Sequence, residues 1–481
     1  MPDRAPLDAT TARWLPWVVA IAFFMQSLDG TILNTALPAM ARDLAENPLR
    51  MQGVVIAYML TVALLIPASG WVSDRFGTRR VFFSAILLFS IGSLLCALSS
   101  SLNMLVGARV IQGLGGSLML PVGRLVVLRA YPRSELVRIM GFITIPGLLG
   151  PLIGPTMGGW MVQFLTWHWI FLINLPVGLI GCYAVWKFIP DLRGSERTRF
   201  DGIGFVLFGA AMLLITIAME GLGEQIGRAL QLPHLRVMLL LFAGLACLAA
   251  YWLRAGHIDN PLFAPSLFKT RTFAVGILGN LFARLGSGAL PFLVPLLLQV
   301  ALGYSPSQAG MSMLPLAAAA MFAKSIARPL IERLGYRIVL TGNTLALGVM
   351  LAALGLVTEH TPYPLLLGML AIAGAINSLQ FTAMNTVTLI DLDDKAASSG
   401  NSLLSVVAQL SLSLGVACAG ALLGGFTAAI GNDGVETVLG AFQLTFLTVG
   451  IMAMLAATIF LQLSPQDGRR ARVVQEQHIE H

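Results

Sequence analysis

GWVSDRFGTRR, residues 70–80, is the stretch that decides the fold of this chain, because it joins two long apolar segments through a short charged turn. Gly70 is small enough for close helix contact, Gly77 permits a tight turn, and Asp74 can accept charge-assisted hydrogen bonds. Positive charge beside the apolar segments comes from three arginines: Arg75, Arg79 and Arg80. An ordinary basic loop between membrane spans would explain the arginines, but not the fixed spacing of the two glycines and the aspartate.

The composition around this stretch is that of a polytopic membrane protein. The 481 residues are 57% hydrophobic and 11% charged, and the mean hydropathy is +0.81. Soluble domains carry roughly 25% charged residues, so a chain this poor in charge cannot cover a water-facing surface. Soluble globular proteins are therefore excluded.

Fourteen apolar segments are long enough to cross a bilayer, since a helix needs about 20 residues to cross about 30 Å of hydrocarbon. They form groups of six, two and six, at about 14–37, 51–71, 80–98, 102–128, 137–160, 166–189, 203–222, 236–255, 272–300, 307–330, 337–356, 363–389, 400–429 and 438–462. We expect a six-helix bundle over 1–189, linkers with two inserted helices over 190–271, a second six-helix bundle over 272–462, and a tail over 463–481.

The last six segments repeat a feature of the first six. ERLGYR (332–337) follows the second segment of its group, as DRFGTR (74–79) does, and the order of acid, Arg, apolar residue, Gly, any residue and Arg is the same. A recurrence at the same topological place indicates a duplicated six-helix unit. Paired halves around a central site are a common plan of secondary transporters.

The distribution of basic residues predicts the orientation of the chain. Most of the Lys and Arg residues outside the apolar segments lie on the side that carries both termini, so the positive-inside rule places both termini in the cytoplasm. The net charge of +7 then follows from membrane topology, and no nucleic-acid partner is expected.

Several further motifs resemble those of one known family. GWVSDRFGTRR is similar to the cytoplasmic signature loop of the major facilitator superfamily, which implies that its residues form a gate on the inner side. LDGTILNTALP (28–38), RVIQGLGG (109–116) and GPLIGPTMGG (150–159) resemble the first-, fourth- and fifth-helix motifs of its drug:proton antiporters. With WHWIFLINLPVG (167–178) and the two inserted helices, the resemblance extends over essentially the whole chain to the fourteen-span antiporter branch.

This resemblance implies an all-α fold of two six-helix bundles plus two inserted helices. It also implies a secondary exporter of small molecules, with multidrug efflux as its function, that acts as a monomer in contact with lipid in a bacterial inner membrane. The proton is the implied coupling ion, and no other cofactor is implied. One departure bears on drug specificity: members of the branch often carry an Arg in the thirteenth helix, where this chain has Ala408 and Gln409.

The fifth-helix motif has a direct physical interpretation. Four small residues form one face of the helix: Gly150, Gly154, Gly158 and Gly159. Two prolines, Pro151 and Pro155, remove backbone donors and bend the helix. We therefore expect close helix packing along this face.

Asp29 is the candidate proton carrier. It lies about 22 Å along an ideal helix from Trp14, past the middle of the bilayer, where a low dielectric favours the neutral, protonated carboxyl. The resemblance implies that Arg109 of the fourth-helix motif is its partner in proton transfer. A permanent Asp29–Arg109 pair that only holds helices together is the alternative.

Polar residues within the apolar segments are candidates for a substrate cavity or for interhelical hydrogen bonds: Asn34, Gln112, Asn280, Asn377, Gln380 and Asn385. Basic residues outnumber acids within these segments. The acids are Asp29 and Glu220, and the basic residues are Arg109, Arg124, Arg284, Lys324 and Arg328. Arg284 stands near mid-membrane, with Lys324 nearer the inner end of its helix. An organic anion such as a citrate-like carboxylate is therefore an alternative substrate, which Arg284 would bind through two hydrogen bonds.

Other function classes lack their motifs. No GxxxxGK[ST] string encodes a phosphate-binding loop for ATP, and no GxSxG nucleophile is present, so neither primary transport nor an enzyme is expected. The six histidines and four cysteines lack metal-ligand spacing, so no metal site is expected. A channel or non-transporting sensor with the same fold is a weaker alternative.

Overall fold

The computed structural model describes residues 8–193, 200–226, 233–258, 260–430, 435–464 and 467. Within these residues the chain is helical and contains no strand, which confirms the all-α class. The α-helices are α1 (Ala9–Ile32), α2 (Leu37–Asp43), α3 (Gln52–Leu65), α4 (Ser69–Phe76), α5 (Thr78–Ala97), α6 (Leu102–Ala130), α7 (Arg133–Phe164), α8 (Trp169–Leu172), α9 (Asn174–Phe188), α10 (Gly202–Ile226), α11 (Pro233–Ala255), α12 (Arg271–Leu296), α13 (Pro306–Ser312), α14 (Leu314–Leu334), α15 (Tyr336–Leu354), α16 (Tyr363–Leu389), α17 (Asp394–Ile430) and α18 (Val435–Phe460).

The described residues contain fourteen spans long and apolar enough to cross a membrane, as predicted. Five spans among the described residues are interrupted helices: α1 with a 3₁₀ end at Leu33–Thr35, α3 with α4, α8 with α9, α12 with a π-helical end at Leu297–Ala301, and α13 with α14. The predicted boundaries differ by a few residues, most at α17, which starts at Asp394 rather than at 400. Hydropathy marks the lipid boundary, whereas a helix continues wherever its backbone hydrogen bonds are satisfied. Most of the predicted tail lies outside the described residues.

The chain divides into two compact units, residues 1–200 with 305–311 and residues 201–304 with 312–481. In the first unit α1 packs on α7, α3 on α6, and α5 on α9, around an apolar core that includes Phe23, Phe82 and Phe89. Tyr131, just beyond α6, donates its hydroxyl to the Ala12 carbonyl oxygen at 2.7 Å. Burial raises the pKa of Tyr131 to about 12, so this donor keeps its proton at neutral pH.

The second unit repeats the pairing order of the first. Here α12 packs on α17, α14 on α16, and α15 on α18, so each pair joins the same two spans of its six-helix group. The inserted helices α10 and α11 pack on each other, and α10 also packs on α17. Asp201 ties them together, because its Oδ1 accepts hydrogen bonds from the Gly204 amide at 2.9 Å and from Arg254 Nη1 at 2.6 Å.

The two signature turns have the same backbone geometry. Gly77 has a φ of +90° and Gly335 a φ of +80°, a region that favours glycine, and each ends one helix and begins the next. In both turns the glycine carbonyl accepts the amide of the residue four positions on at 3.2 Å. The repeat seen in the sequence is therefore also present in the backbone.

Candidate functional site

A buried ion pair lies at the centre of the first unit. Arg109 Nη1 of α6 donates to Asp29 Oδ2 of α1 at 2.7 Å, and both side chains are at most 1% exposed. The Arg109 guanidinium also donates from Nε to the Val54 carbonyl at 3.3 Å and stands 4.2 Å from the Tyr58 ring centroid. The structure thus brings together the two residues predicted for proton coupling.

Two amides complete the hydrogen bonding of the carboxylate. Gln112 Nε2 and Asn174 Nδ2 donate to Asp29 Oδ1 at 2.7 Å and 3.1 Å. Gln112 Oε1 accepts from Arg109 Nη1 at 2.6 Å, and Ser93 Oγ accepts from both amides. Both carboxylate oxygens therefore act as acceptors, Oδ2 of the guanidinium and Oδ1 of the two amides.

Close helix packing places these side chains. A Cβ atom at Gly92 of α5 would collide with the backbone of Gln112 on α6, and one at Gly115 would collide with the backbone of Phe89. Only glycine allows this approach of α5 and α6, which brings Ser93 next to Gln112. Gly92 of α5 and Gly115 of RVIQGLGG therefore help to position Gln112 beside Ser93.

The fifth-helix motif packs α7 on α1, as predicted. Cβ atoms at Gly150, Gly154 and Gly158 would collide with α1 or with Thr35 in the turn that follows it. The prolines free carbonyls on the same face, since Pro151 leaves the Gly147 oxygen without its helical donor. Ser27 Oγ donates to that oxygen at 2.6 Å.

Two other hydroxyls of the first span also donate to carbonyls of α7. Thr31 Oγ1 donates to the Gly150 carbonyl at 3.2 Å, and Thr35 Oγ1 donates to the Pro155 carbonyl at 3.1 Å. The last glycine of the motif, Gly159, faces Pro306 within the first unit. Small residues, these hydroxyl bonds and the carbonyl freed by Pro151 thus hold the helix that carries Asp29.

The signature loop is bonded to its own unit at several points. Asp74 pairs with Arg129 near the end of α6, and Arg75 lies over the Trp71 ring. The loop also binds the segment after α9, through the Thr78 amide to the Leu192 carbonyl at 3.0 Å and Arg79 Nε to the Ile189 carbonyl at 2.5 Å.

Two signature residues do not make such contacts. A side chain at Gly70 would meet no atom within 4 Å among the described residues, so the close helix contact expected there is absent. Arg80 is exposed. The other expected gate residues therefore lie in a loop held by hydrogen bonds and ion pairs, and Gly70 and Arg80 lie at its two ends.

The second unit contains a buried arginine that pairs with no acid among the residues the structure describes. Arg284 of α12 is 4% exposed, its Nε and Nη2 have no hydrogen-bond partner among the described residues, and its Cζ stands 4.2 Å from the Phe381 ring centroid. Asn280, one turn earlier on α12, is fully buried and leaves Oδ1 unpartnered within the same set. Asn385, one turn after Phe381 on α16, also has an unpartnered Oδ1 there.

The sequence of this chain matches the model of a known protein family. The model of the Major Facilitator Superfamily matches residues 19–255 and 276–478. The chain belongs to the major facilitator superfamily. The predicted family is thereby confirmed, and the chain is a multi-pass membrane protein of a transporter family.

Curated members of this superfamily resemble the chain over its length. The protein named multidrug resistance protein MdtD in Serratia proteamaculans is 47% identical over 453 residues, which cover 94% of each chain. MdtD of Yersinia pestis (strain Pestoides F) is 46% identical over 461 residues, which cover 96% of this chain and 98% of that protein.

Solved superfamily structures share the fold. A bacterial homolog of the human lysosomal transporter Spinster matches with a TM-score of 0.68 and 16% identity, over 96% of this chain and 99% of the other. A D-xylose–proton symporter matches with a TM-score of 0.66 and 13% identity, over 95% and 99%. At these identities the likeness concerns the fold alone.

The remaining cavity candidates of this transporter have different environments. Gln380 is buried in an interhelical network, since it accepts from Asn343 at 2.8 Å and donates to Thr344 at 2.6 Å. Asn34 is buried and Asn377 is half-buried. Lys324 is exposed, so it does not share the burial of Arg284. The side chain of Glu220 lies outside what the structure describes.

Sequence reasoning missed Ser93 and Asn174 at the ion pair. Asn174 satisfies the criterion applied to the other candidates, a polar residue in an apolar segment, and it lies within the quoted motif WHWIFLINLPVG. Ser93 offers no comparable signal, because serines are common in such segments and often bond to their own helix.

Proposed function

We propose that this chain is a proton-coupled secondary exporter of small molecules in a bacterial inner membrane, with multidrug efflux as its function. It acts as a monomer with both termini in the cytoplasm. The observation that carries the proposal is the fully buried Asp29–Arg109 pair, an intramembrane carboxylate joined to a cation across two spans. The names of the MdtD relatives support drugs as the substrate class. The distribution of Lys and Arg residues supports the cytoplasmic placement of both termini.

The surroundings of Arg109 favour a pair that breaks during transport over a permanent one. If Asp29 takes up a proton, the guanidinium loses its counter-ion. It still has the Gln112 Oε1 and Val54 carbonyl acceptors and the face of the Tyr58 ring. These groups lower the cost of separation, because a buried cation is expensive chiefly when it has no partner.

The exchange cycle follows from this chemistry. Asp29 binds a proton from the outer side, releases Arg109, and gives the proton up on the inner side as the substrate leaves in the opposite direction. The signature loop, bonded through Asp74 and Arg129, acts as the gate on the inner side. No other cofactor takes part.

Proton exchange in liposomes tests the proposal. Purified protein is reconstituted with a pH-sensitive dye inside, and cationic dyes and drugs are added from a panel. We expect substrate-dependent proton movement by the wild type and none by Asp29→Asn, with Glu46→Gln as control because Glu46 forms an exposed pair with Arg50. Uphill transport by Asp29→Asn would refute the coupling role, and current without fixed stoichiometry would indicate a channel.

A second substrate class is favoured by one observation. Arg284 is buried with two unpartnered nitrogens, and no acid lies against it among the described residues. A carboxylate that bound there would supply the missing counter-charge and could accept two hydrogen bonds. Organic anions such as citrate-like carboxylates are therefore the alternative substrates.

Flux measurements with two variants separate these substrate classes. We expect Arg284→Gln to lose carboxylate export and keep any dye efflux, while Arg328→Gln, which alters an exposed Arg of the same unit paired with Glu332, keeps both. Normal carboxylate export by Arg284→Gln, or export of cationic dyes alone by the wild type, would refute the anion alternative.

A further inference from the structure

Two residues of the motif WHWIFLINLPVG (167–178), Phe171 and Asn174, lie beside the ion pair, although its resemblance to known antiporters assigns it no task. α8 ends at Leu172, Ile173 forms a turn, and α9 begins at Asn174, so the break in this span places a buried amide at a helix start. The Phe171 ring, just before the break, lies 5.9 Å from the Arg109 guanidinium. The motif thus reaches both members of the pair.

Asn174 joins the carboxylate to a third helix. Its Nδ2 donates to Asp29 Oδ1 at 3.1 Å and to Ser93 Oγ of α5 at 2.9 Å. Ser93 Oγ in turn donates to the Phe171 carbonyl at 3.0 Å. The hydroxyl is therefore committed as a donor to the backbone, which leaves its lone pairs to accept one hydrogen from Asn174 and one from Gln112.

Few charged or titratable groups surround this site in the part of the chain that the structure describes. Arg109 of α6 pairs with Asp29, and Tyr58 of α3 and Cys96 of α5 also lie close to that pair. α7 carries no charged residue between Arg138 and Phe164, and α8 carries none. On α9 the titratable side chains lie more than two turns beyond Asn174, at Cys182, Tyr183 and Lys187.

We propose that Asn174, held by Ser93, is a positioning residue that keeps the Asp29 carboxylate ionised while Arg109 is bound, and thereby sets the pH at which Asp29 takes up its proton. The proposal deepens the proposed function, because it rests on Asp29 as the coupling acid. A protonated carboxyl would direct an O–H towards groups that are themselves donors. Proton uptake at Oδ1 therefore requires the Asn174 amide to rotate or withdraw.

The role differs from simple packing. The Arg109 guanidinium meets Oδ2, whereas Asn174 and Gln112 both meet Oδ1. Gln112 also binds Arg109 through Oε1, so its loss would disturb both partners. None of the described contacts of Asn174 involves Arg109, which makes it the cleaner position at which to change the carboxylate alone.

Infrared titration of Asp29 tests the proposal. Purified full-length protein in lipid nanodiscs is titrated while the carbonyl band of protonated carboxyl groups is recorded, and the part lost in Asp29→Asn is assigned to Asp29. Asn174→Leu keeps the branched shape of the side chain and removes the donor. We expect its Asp29 band to titrate about one pH unit higher than in the wild type, since hydrogen bonds to charged groups are strong enough for a shift of that order.

Two further variants keep the test decisive. Ser93→Ala removes the acceptor that holds the Asn174 amide at 2.9 Å and, at the longer distance of 3.3 Å, the Gln112 amide. It should shift the band upward by a smaller amount, so it tests the proposal if Asn174→Leu does not fold. Ser90→Ala, one turn earlier on α5, is the control, because Ser90 Oγ bonds only to the Ile86 carbonyl of its own helix among the described contacts. Its titration should match the wild type.

The outcomes separate this proposal from the proposed function. An unchanged Asp29 band in both Asn174→Leu and Ser93→Ala, or no titrating band that depends on Asp29, overturns the role of Asn174. Uphill transport by Asp29→Asn overturns proton coupling instead, and the titration still reports on Asn174. If both proposals hold, the pH dependence of proton-coupled flux in Asn174→Leu moves upward with the band.

Discussion

Replacing Asp29 by Asn should destabilise the protein as well as uncouple transport. Three donors meet two carboxylate oxygens in the structure, and an amide has only one oxygen. If that oxygen faces Arg109, the new NH₂ group opposes Gln112 and Asn174. If it faces those amides, the NH₂ group opposes the guanidinium.

The size of the effect follows from the burial of the pair. Both side chains are at most 1% exposed, and breaking a buried pair by removing one partner costs about 3–5 kcal/mol because the other charge is left uncompensated. The acceptors on Val54 and Gln112 place the expected loss near 3 kcal/mol, at the lower end of that range. If desolvation of the Asp29 carboxylate were the only effect, Asp29→Asn would stabilise the protein instead.

A double variant distinguishes the two consequences. Asp29→Asn with Arg109→Gln removes both charges, so it should recover most of the lost stability without recovering coupling. Unfolding is followed by intrinsic fluorescence in detergent, and coupling by proton flux in liposomes. Wild-type stability of Asp29→Asn, or a double variant as unstable as the single one, would refute the reasoning.

Three further predictions concern other parts of the chain. Asp74→Asn should slow transport and shift cysteine accessibility between the two faces of the membrane. Loss of the partly exposed pair with Arg129 should lower the free energy of unfolding by about 1 kcal/mol or less. Unchanged labelling together with unchanged rates would count against a gate. Gly158→Ala should lower the melting temperature, at a cost of about 1–3 kcal/mol, because its Cβ would collide with the backbone of α1, whereas Gly141→Ala enters open space and should not; equal melting temperatures would contradict the packing argument. Arg284→Met should raise the melting temperature, because it removes a buried charge that has no counter-ion among the described residues, which should stabilise the protein by about 1–3 kcal/mol. It should also abolish any carboxylate export. A lower melting temperature would indicate a partner for this Arg.

Local patterns predicted the residues of the ion pair but only part of its surroundings. Asp29 and Arg109 followed from an acid in an apolar segment and from a motif resemblance. Gln112 was predicted as a cavity residue, whereas the structure places its amide on the carboxylate. Asn174 was overlooked although it is a polar residue in an apolar segment, and nothing in that segment indicates that it contacts Asp29.

Sequence by itself determined the helices, the fourteen spans and the two glycine turns. A chain in hydrocarbon must satisfy its backbone hydrogen bonds within each segment, so apolar length alone predicts a spanning helix. The turns need a positive φ that glycine adopts readily, so Gly77 and Gly335 are visible in the sequence as well.

Only the tertiary structure decided which polar groups meet. The donors to Asp29 lie 80, 83 and 145 residues away along the chain, and helix packing sets which of their faces point at it. Asp29 and Arg284 illustrate the difference, since each is a charged residue in the first span of its six-helix group. The sequence shows both charges, but compensation depends on distances of about 3 Å between helices. Packing supplies a counter-ion to Asp29, and it leaves Arg284 without one among the described residues.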